Sequence, residues 1–587
     1  MNKRVDKIVI IDFGSQLAHL IADRIRRLGV YSEIRSTDIP ASDLKQYKGI
    51  IISGGPASVN DPKSPQLDRT IYEIGIPILG ICYGHQYTMR ALGGRVAKGV
   101  VGEYGLTQFT VTKNIGVFKH LEKKSYQVYA SHFDTVEKVP EGFEVVGETR
   151  DDKMSATANE LRKIYTVQFH PEVAHTECGM KILDTFIEIT GSKRDWSIEK
   201  FISEEVASIN KKVDSKKVFM LVSGGVDSTV AYALLAKALG EDRVYAMYVD
   251  TGFMRKNETA QIKKSLEKIG IKNLHIEHAE KEFFSALKGI YEPEQKRKII
   301  GDKFLEIQRN VAQKLNLNPD EWLLGQGTIY PDTIESGGTR NADKIKTHHN
   351  RVPEIEEMIR QGKIIEPIKE LYKDEVRELG AQLGLPEEMV NRHPFPGPGL
   401  AVRCLCAEKE DGKYEKLPNG HLLPIKSVGV QGDERTYRHP FVLDSAHDWN
   451  KLRTISPSIT NTDSRINRVL VEISGVKIEK VSITQSYLTP ERIAKLQEAD
   501  ALVMDAIKDE KSVWQCPTVL IPLSVNAEGQ ESIVIRPVSS QEAMTANFTE
   551  LPWEKVEKLA KDLMKIHGIS AVFYDITNKP PATIEWE

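Results

Sequence analysis

Short runs of apolar residues alternate with amphipathic stretches along the first third of the chain. The apolar runs lie at 8–11, 49–52, 77–81 and 165–169, and stretches with helical spacing lie between them. Strands that alternate with helices predict an open α/β sheet with a largely parallel core. In such sheets the reactive groups gather at the carboxyl ends of the strands.

The same alternation returns in the middle of the chain. Apolar runs occupy 218–222, 245–250 and 322–328, and a helix-like segment at 229–239 follows the first of them. We expect these runs to be strands of one doubly wound sheet, with an adenine or a ribose lying across the strand ends.

The last part of the chain has a different pattern. Residues 423–442 and 521–538 line up loosely, and each segment has the pattern of a strand, a polar turn and a second strand. Helical stretches at 490–507 and 553–566 accompany them. This weak internal repeat predicts two similar α+β units.

Two breaks in the pattern predict the domain boundaries. Residues 191–193 interrupt it before a new helix, for which Ser197 is suited as the N-cap. The segment 393–400 contains three prolines and two glycines, which excludes a regular helix or a central strand. We therefore expect domains at 1–194, 195–403 and 404–587. The predicted fold class is α/β, with two doubly wound domains followed by an α+β domain.

Composition narrows the class of function. The 587 residues are 28% charged and 40% hydrophobic, and the formal net charge is −3. This balance gives no electrostatic reason to expect nucleic acid or membrane as a partner. The five cysteines are odd in number and scattered, which argues against a disulfide framework and for a reducing compartment. The apolar stretch before Asp12 is too short for a signal or membrane segment, so we expect a cytoplasmic protein.

Candidate nucleophilic chemistry lies in the first domain. Cys82 follows the run 77–81 directly in a glycine-flanked turn, where a helix N-terminus would favour the thiolate. A lone cysteine is more often a small buried residue, but His170 and Glu172 also follow a predicted strand. A histidine can take the thiol proton while a carboxylate orients the imidazole. The glycine turn at 53–56 can present backbone N–H groups to an oxyanion.

A second candidate site is the turn at 223–228, between a predicted strand and a predicted helix. Its residues are Ser223, Gly224, Gly225, Val226, Asp227 and Ser228. Backbone N–H groups, the helix N-terminus and two hydroxyls suit a phosphate cluster. The turn lacks the lysine of the phosphate loop of kinases and GTPases. A tight connection without function is the alternative interpretation. Asp250 and Gly325, at the next strand ends, are further candidates for contact with a bound nucleotide.

Two polar tracts in the middle of the chain have two interpretations each. Lys346, His348 and His349 lie within 345–350, which is either a solvated loop or a lid that brings the lysine to phosphate oxygens and excludes water. Residues 373–375 are either the charged start of a helix or ligands of magnesium.

Cys82, His170, Glu172 and the glycine turn together resemble the class I glutamine amidotransferases, over roughly residues 8–189. The resemblance implies that Cys82 attacks the side-chain amide of glutamine, that His170 is general base and acid, and that Glu172 orients it. It also implies an oxyanion pocket at Gly54, Gly55 and Tyr83, and a glutamine site along Gln86, Ser131, His132 and Asp134. Phe133 departs from the pattern, since similar members carry glycine there.

The turn at 223–228 resembles the pyrophosphatase loop of the N-type ATP pyrophosphatases, which have an adenine nucleotide alpha hydrolase-like fold and split ATP into AMP and pyrophosphate. By this resemblance Asp227 helps to hold Mg²⁺. The whole chain resembles the family of glutamine-hydrolysing GMP synthetases, through 428–433, 345–350, the proline-rich segment and the ending 579–587.

The resemblance to the GMP synthetases implies a ligase that adenylates XMP with ATP, releases pyrophosphate, and lets ammonia from glutamine displace AMP to give GMP. The implied substrates are ATP, XMP and glutamine, and the implied cofactor is Mg²⁺ with ATP, without an organic prosthetic group. Carried over by position, the XMP site contains Arg297, Asp433, Gln515, Lys579 and Glu585. The third domain would serve for dimerisation. This domain is longer than in the compact bacterial members of the family. We expect a homodimer from the resemblance.

Other functions can be weighed against this one. NAD synthetases and tRNA-thiolating enzymes use a similar loop, but thiolation would bring paired cysteines and a basic face, and Cys404 and Cys406 are too close and isolated. A glutaminase joined to a nucleotide sensor would predict a broken triad or the loss of Asp227, and neither is seen.

Overall fold

The fold is described here from a computed structural model, over residues 6–15, 17–314, 320–333, 360–390, 395–410, 412–431, 434–444, 447–540 and 546–587. These residues form two compact units. The first unit holds the described residues of 1–208, 328–353 and 368–379, and the second holds those of 209–327, 354–367 and 380–587. This division does not decide the boundaries expected near 194 and 403, which stay predictions.

The sheet of the first unit has nine strands within the described residues. They are β1 (Lys7–Asp12), β2 (Tyr31–Ser36), β3 (Gly49–Ile52), β4 (Ile78–Ile81), β5 (Arg95–Val111), β6 (Ser125–Lys138), β7 (Glu144–Thr149), β8 (Ala156–Asn159) and β9 (Ile164–Val167). Their order is β2-β1-β3-β4-β9-β8-β7-β5-β6. The pairs from β2 to β9 are parallel, and those from β9 to β6 are antiparallel. The sequence predicts the parallel part but not the antiparallel extension.

The parallel strands of this sheet are buried on both faces, which explains their unbroken apolar runs. Ile8 and Ile10 of β1 belong to one core cluster, whereas Val9 and Ile11 belong to another. Successive side chains of a strand point to opposite faces, so one short run supplies two cores.

The α-helices of the described residues vary from one turn to six. They are Ala18–Arg27, Ala41–Leu44, Tyr83–Ala91, Gly179–Thr190, Ile198–Val213, Val226–Leu239, Glu258–Lys268, Glu280–Ala286, Pro293–Lys314, Tyr330–Thr333, Lys373–Gln382, Glu387–Val390, Trp449–Thr462, Pro490–Ile507 and Trp553–Leu563. The predicted N-cap is confirmed, because the Ser197 hydroxyl accepts a hydrogen bond from Lys200 N (3.2 Å). No helix in the described part of the chain is long and apolar enough to span a bilayer.

The second sheet is parallel throughout. Its strands are β10 (Lys217–Leu221), β11 (Val244–Asp250), β12 (Leu274–His278), β13 (Trp322–Gly325) and β14 (Ile364–Ile365), in the order β12-β11-β10-β13-β14. The chain leaves β10 towards β11 on one side and later returns to β13 on the other. The carboxyl end of β10 is therefore the topological switch point, where such sheets bind ligands.

The remaining strands belong to an α+β arrangement, as predicted. They are β15 (Glu415–Leu417), β16 (Gly420–Leu422), β17 (Ser427–Gln431), β18 (Glu434–Leu443), β19 (Ile466–Glu472), β20 (Val481–Ile483), β21 (Thr518–Ile521), β22 (Leu523–Val525), β23 (Glu531–Ile535), β24 (Val538–Ser539), β25 (Asn547–Phe548) and β26 (Ile569–Asp575). The main sheet has the order β15-β16-β18-β19-β26-β23-β21, with β17 on β18. Parallel pairs β18–β19 and β23–β26 meet antiparallel at its centre.

The chain ending is held by buried contacts. Trp586 is fully buried and its indole N–H donates to Asp575 (3.1 Å). Asp575 also pairs with Arg468 (2.8 Å) and Arg536 (2.9 Å), and all three side chains are fully buried. Arg468 donates further to the carbonyl of Glu585 (2.7 Å). These charge-assisted hydrogen bonds fix the backbone that carries Glu585.

Candidate active sites

Cys82 occupies a strained turn between β4 and the helix Tyr83–Ala91. Its backbone has φ 55° and ψ −106°, a conformation that non-glycine residues seldom adopt. Two glycines allow the close approach of neighbouring backbone. A Cβ on Gly84 would lie 2.2 Å from the Ile52 carbonyl oxygen, and one on Gly80 would lie 2.6 Å from the Gly84 oxygen. The turn resembles the nucleophile elbow of hydrolases, which presents a reactive side chain at a strand end.

His170 and Glu172 lie beside this turn. Nδ1 of His170 is 2.7 Å from Oε1 of Glu172, and both side chains are buried. A Cβ on Gly54 would lie 3.2 Å from Cε1 of His170 and 3.7 Å from Cβ of Cys82, so the three residues meet at one point. Burial would lower the pKa of His170, but the charges of Glu172 and Cys82 outweigh it and hold that pKa well above its ordinary value. The arrangement favours a protonated imidazole next to the Cys82 sulfur.

The residues expected in the oxyanion pocket offer backbone groups. A Cβ on Gly55 would lie 2.7 Å from the Phe13 carbonyl oxygen, so this backbone is closely packed. The Tyr83 ring is buried and packs on Phe13, with ring centres 5.0 Å apart. The phenol of Tyr83 thus belongs to the core, and only the backbone N–H of this residue is suited to an oxyanion.

The residues expected along the glutamine site lie close to Cys82. Gln86 Nε2 donates to the Asp134 carbonyl (2.8 Å), and His132 Nδ1 lies 3.1 Å from the same oxygen. The Ser131 carbonyl accepts from the Cys82 thiol (3.7 Å). The Asp134 carboxylate accepts from the hydroxyl of Ser58 (2.5 Å). The structure therefore brings together all four expected residues.

Sequence reasoning missed Gln168, which is buried next to the thiol. Its Nε2 donates to the Cys82 sulfur (3.8 Å), and its Oε1 accepts from Gln86 (3.1 Å). The signal was available, because Gln168 stands two residues before His170 at the same strand end.

Glu103 was also missed, and here the sequence holds no signal. Its carboxylate lies 3.0 Å from Nε2 of His132, and both side chains are almost fully buried. Burial would raise the pKa of Glu103, but hydrogen bonds from His132 and Thr149 hold it below its ordinary value. The pair depends on the register of β5 and β6, which shifts between Lys98 and Glu103.

Phe133, the departure from the amidotransferase pattern, lies on β6 next to the glutamine-site residues. Lys98 Nζ is 5.5 Å from the centre of its ring, within the range of a cation–π contact. A Cβ on Gly102 would lie 2.9 Å from this ring, so a glycine on β5 accommodates the phenyl group.

The turn at 223–228 connects β10 to the helix Val226–Leu239 at the switch point of the second sheet. Ser228 Oγ accepts from Ser223 N (3.1 Å) and lies 3.0 Å from Ser223 Oγ. Gly224 has φ +78°, and a Cβ there would lie 2.4 Å from Ile262 Cδ1. Gly225 is the N-cap of the helix, and Ser223 and Gly225 are exposed. The loop therefore presents backbone and hydroxyl groups at a helix N-terminus, as an anion site requires.

The other residues expected to contact ATP lie near the same edge of the sheet. Asp227 is half-buried in the first turn of the helix. Asp250 ends β11, and its carboxylate accepts from Gly252 N (3.0 Å) and from the Thr259 hydroxyl (2.7 Å). Gly325 is buried at the end of β13, where a Cβ would lie 3.0 Å from Val218 Cγ1. Close packing against β10 is thus one reason for a glycine there.

The polar tract at 373–375 is the start of the helix Lys373–Gln382. The Glu375 carboxylate accepts from Arg26 Nη1 (3.0 Å) and from the indole N–H of Trp196 (2.9 Å). These contacts within the first unit favour the helix-start interpretation over magnesium ligation.

Gln515 and Glu585, two of the residues expected to bind XMP, lie in contact in the second unit. Gln515 Nε2 donates to Glu585 Oε1 (3.2 Å). Lys579 exchanges backbone hydrogen bonds with Ala546 (2.7 and 3.2 Å). Arg297 is mostly buried and pairs with Glu294 (2.9 Å). The remaining expectation, Asp433, and the lid candidates Lys346, His348 and His349 lie outside the described residues.

Lys296, next to Arg297, is a buried cation that sequence reasoning missed. Its Nζ donates to the carbonyls of Ala401 (3.0 Å) and Cys404 (3.0 Å) and pairs with the Glu587 carboxylate (2.5 Å). It therefore ties the start of the helix Pro293–Lys314 to the chain ending, beside the residues expected to bind XMP.

Comparison with known proteins identifies three family models along the chain. A model described as glutamine amidotransferase class-I matches residues 9–189, one described as NAD synthase matches 196–311, and one described as GMP synthase C terminal domain matches 503–586. A probable GMP synthase (glutamine-hydrolysing) of Leptospira interrogans is 46% identical, with 99% of each chain covered. The chain belongs to the glutamine-hydrolysing GMP synthase family.

Other members of this family match over their whole length as well. The GMP synthase of Symbiobacterium thermophilum is 38% identical with 100% of both chains covered, and that of Aquifex aeolicus is 37% identical with 99% of both covered. Full-length similarity to GMP synthases sets aside the NAD synthetase, thiolation and nucleotide-sensor alternatives. The NAD synthase match reflects a shared ATP pyrophosphatase domain.

Proposed function

We propose that this protein makes GMP from XMP by joining a glutaminase reaction at Cys82 to an ATP-dependent amination at the turn 223–228. The observation that carries the glutaminase assignment is the position of His170, which lies beside the Cys82 turn and contacts Glu172. We assign the glutaminase to residues 1–194, the synthetase to 195–403, and XMP binding and dimerisation to 404–587.

In the glutaminase reaction the Cys82 sulfur attacks the amide carbon of the glutamine side chain. Backbone N–H groups at Gly54, Gly55 and Tyr83 stabilise the oxyanion. His170 gives a proton to the leaving ammonia, and a thioester remains on the sulfur. His170 then takes a proton from water, which attacks the thioester and releases glutamate. Glu172 holds the imidazole in position during both steps.

Gln86, Ser131, His132 and Asp134 line the glutamine site. The backbone carbonyl of Asp134 lies within hydrogen-bond distance of both Gln86 and His132. Glu103 holds the other nitrogen of His132. These hydrogen bonds fix the side chains of Gln86 and His132 in the positions where they would contact the amide of the substrate.

In the synthetase reaction the 2-oxo group of XMP attacks the α-phosphate of ATP, and pyrophosphate leaves. Ammonia then attacks C2 of the purine, and AMP leaves with the former oxo oxygen. Adenylation turns a poor leaving group into a good one. The turn from Ser223 to Ser228 cradles the phosphates, and Asp250 and Gly325 lie along the nucleotide. Lys346, His348 and His349 are proposed as a lid.

The residues at this edge fit Mg²⁺, the cofactor that the family implies with ATP. Asp227 and Asp250 offer carboxylate oxygens, the ligand type that magnesium prefers. When bound with ATP, the ion would neutralise phosphate charge and orient the leaving pyrophosphate. We assign Asp227 as its protein ligand.

XMP binding is proposed for Arg297, Asp433, Gln515, Lys579 and Glu585. Arginine and lysine suit the 5′-phosphate, and the amide and carboxylates suit the ribose and the purine edge. We further propose a homodimer, which sedimentation of the purified protein would test, and a cytoplasmic location, which cell fractionation would test.

The decisive experiment incubates the protein with XMP, ATP and ammonium. AMP and GMP should appear one for one, together with pyrophosphate. ADP as the nucleotide product would contradict the assignment of the turn at 223–228, because it would mean attack at a different phosphorus.

A further inference from the structure

A group of buried charged side chains lies behind Glu585. Arg403 is fully buried and holds both oxygens of this carboxylate, with Nε 3.0 Å from Oε2 and Nη2 2.8 Å from Oε1. Gln515 donates to the same Oε1 (3.2 Å). The side chain of Glu585 remains 21% exposed. A ligand can therefore reach Glu585 while Arg403 fixes it from the buried side.

Asp500 continues this group beyond Arg403. Its Oδ1 is 3.9 Å from Arg403 Nη1, and its Oδ2 is 3.5 Å from Arg255 Nε. Both guanidinium groups also lie near the Phe395 ring, 5.2 and 4.7 Å from its centre. Arg255 belongs to the segment that follows Asp250 at the carboxyl end of β11. The group thus connects Glu585 with the edge of the sheet proposed to bind ATP.

The contacts around Asp500 are incomplete. Among the described residues, Arg255 Nε, Arg403 Nη1 and Asp500 Oδ1 are buried without a hydrogen-bond partner. By contrast, Arg492 in the same unit approaches its buried partner Glu531 to 2.6 Å. Buried polar atoms are normally satisfied, and active-site hydrogen bonds often tighten only when substrate is bound. A small shift at Asp500 would close these contacts.

We propose that Arg403 is the positioning residue for Glu585 in XMP binding. We further propose that Asp500, which lies between Arg403 and Arg255, keeps Arg403 in place. The inference rests on the proposed function, because it takes Glu585 as a contact of XMP. Arg403 acts through Glu585 and does not meet the reacting atoms. A guanidinium group fixes two carboxylate oxygens at once, whereas a lysine keeps the charge but loses this planar fork.

The test measures KM for XMP with ATP and ammonium saturating. Arg403→Lys should raise this KM about tenfold, the loss expected for one charge-assisted hydrogen bond. KM for ATP should change less than twofold. The rate of glutamine hydrolysis at Cys82 should also change less than twofold. Glu585→Gln should also raise KM for XMP. The double variant should match the larger single effect rather than their product, because both changes break one contact.

Arg492→Lys is the matched control. Arg492 is a buried arginine whose carboxylate partner is Glu531. Its variant should lower Tm but leave KM for XMP unchanged. An unchanged KM in Arg403→Lys, or single effects that multiply in the double variant, overturns the proposal.

A second variant covers the case in which Arg403→Lys does not fold. Asp500→Asn keeps the shape and removes the charge between the two arginines, and it should raise KM for XMP at least threefold. An unchanged KM there overturns the proposal. Failure of the proposed function gives a different result: either the unaltered protein forms no GMP from XMP, or Glu585→Gln leaves KM for XMP unchanged.

Discussion

Replacement of Glu172 by glutamine tests how the protein activates its nucleophile. Glu172 is fully buried and its Oε1 lies 2.7 Å from His170 Nδ1. Its other oxygen, Oε2, is buried without a hydrogen-bond partner among the described residues. His170 is therefore the main partner of this charge. An amide in its place keeps the shape but removes the attraction that holds the imidazole protonated.

The size of the effect follows from this geometry. Loss of the orienting carboxylate costs a serine triad about 10⁴ in kcat. A thiol is intrinsically more acidic and more nucleophilic than a serine hydroxyl, so it depends less on its base. We expect the glutamine-dependent kcat of Glu172→Gln to fall about 10³-fold, which is roughly 4 kcal/mol at 1.36 kcal/mol per factor of ten.

The same variant should change the pH profile. Glu172 is the strongest of the influences that raise the pKa of His170, and burial opposes them. Without Glu172 the largest raising influence is lost, so the pKa of His170 falls. The imidazolium is present only below this pKa, so the alkaline limb of kcat/KM for glutamine should move to lower pH.

The assay compares GMP formation from glutamine with GMP formation from ammonium. Ammonium bypasses Cys82, so its rate should be unchanged in Glu172→Gln. Glu177→Gln, an exposed carboxylate on the same segment, is the control and should keep both rates. A glutamine-dependent kcat within threefold of the unaltered protein, or an unmoved alkaline limb, would refute the orienting role of Glu172.

Three further changes test other parts of the fold. Cys82→Ala should abolish GMP formation from glutamine but retain it with ammonium, and activity with glutamine would remove Cys82 as nucleophile. Asp227→Ala should abolish AMP release with either nitrogen source, which a coupled AMP assay measures, and retained release would remove its magnesium role. Asp575→Asn leaves Arg468 and Arg536 buried without their shared anion, so it should lower the free energy of unfolding by about 3–5 kcal/mol in urea titration. A loss below about 1 kcal/mol would contradict this account.

Contiguous motifs were predictable because their geometry is local. The turn at Cys82 needs only a strand, two glycines and a helix start, and the turn at 223–228 needs the same parts. In both places the structure has the predicted strand, turn and helix. Buried parallel strands were also predictable from the sequence, since burial on both faces requires an unbroken apolar run such as 8–11.

Contacts between distant segments depend on how whole strands pair. The meeting of Cys82 with His170 depends on β4 pairing with β9, which no single segment encodes. The pairing of His132 with Glu103 depends on a register shift in two long strands. A one-residue change of register would turn these side chains to opposite faces.

The sequence by itself thus determined the buried parallel strands, the nucleophile turn and the nucleotide loop, because these follow from neighbouring residues and their period. Only the tertiary structure decided which charged side chains are buried and which partners they pair with. Arg403 and Glu585 are 182 residues apart, and Lys296 rather than Arg297 is the fully buried cation of its helix. A charge is buried only where folding brings it a partner, and that partner is set by the packing of whole elements.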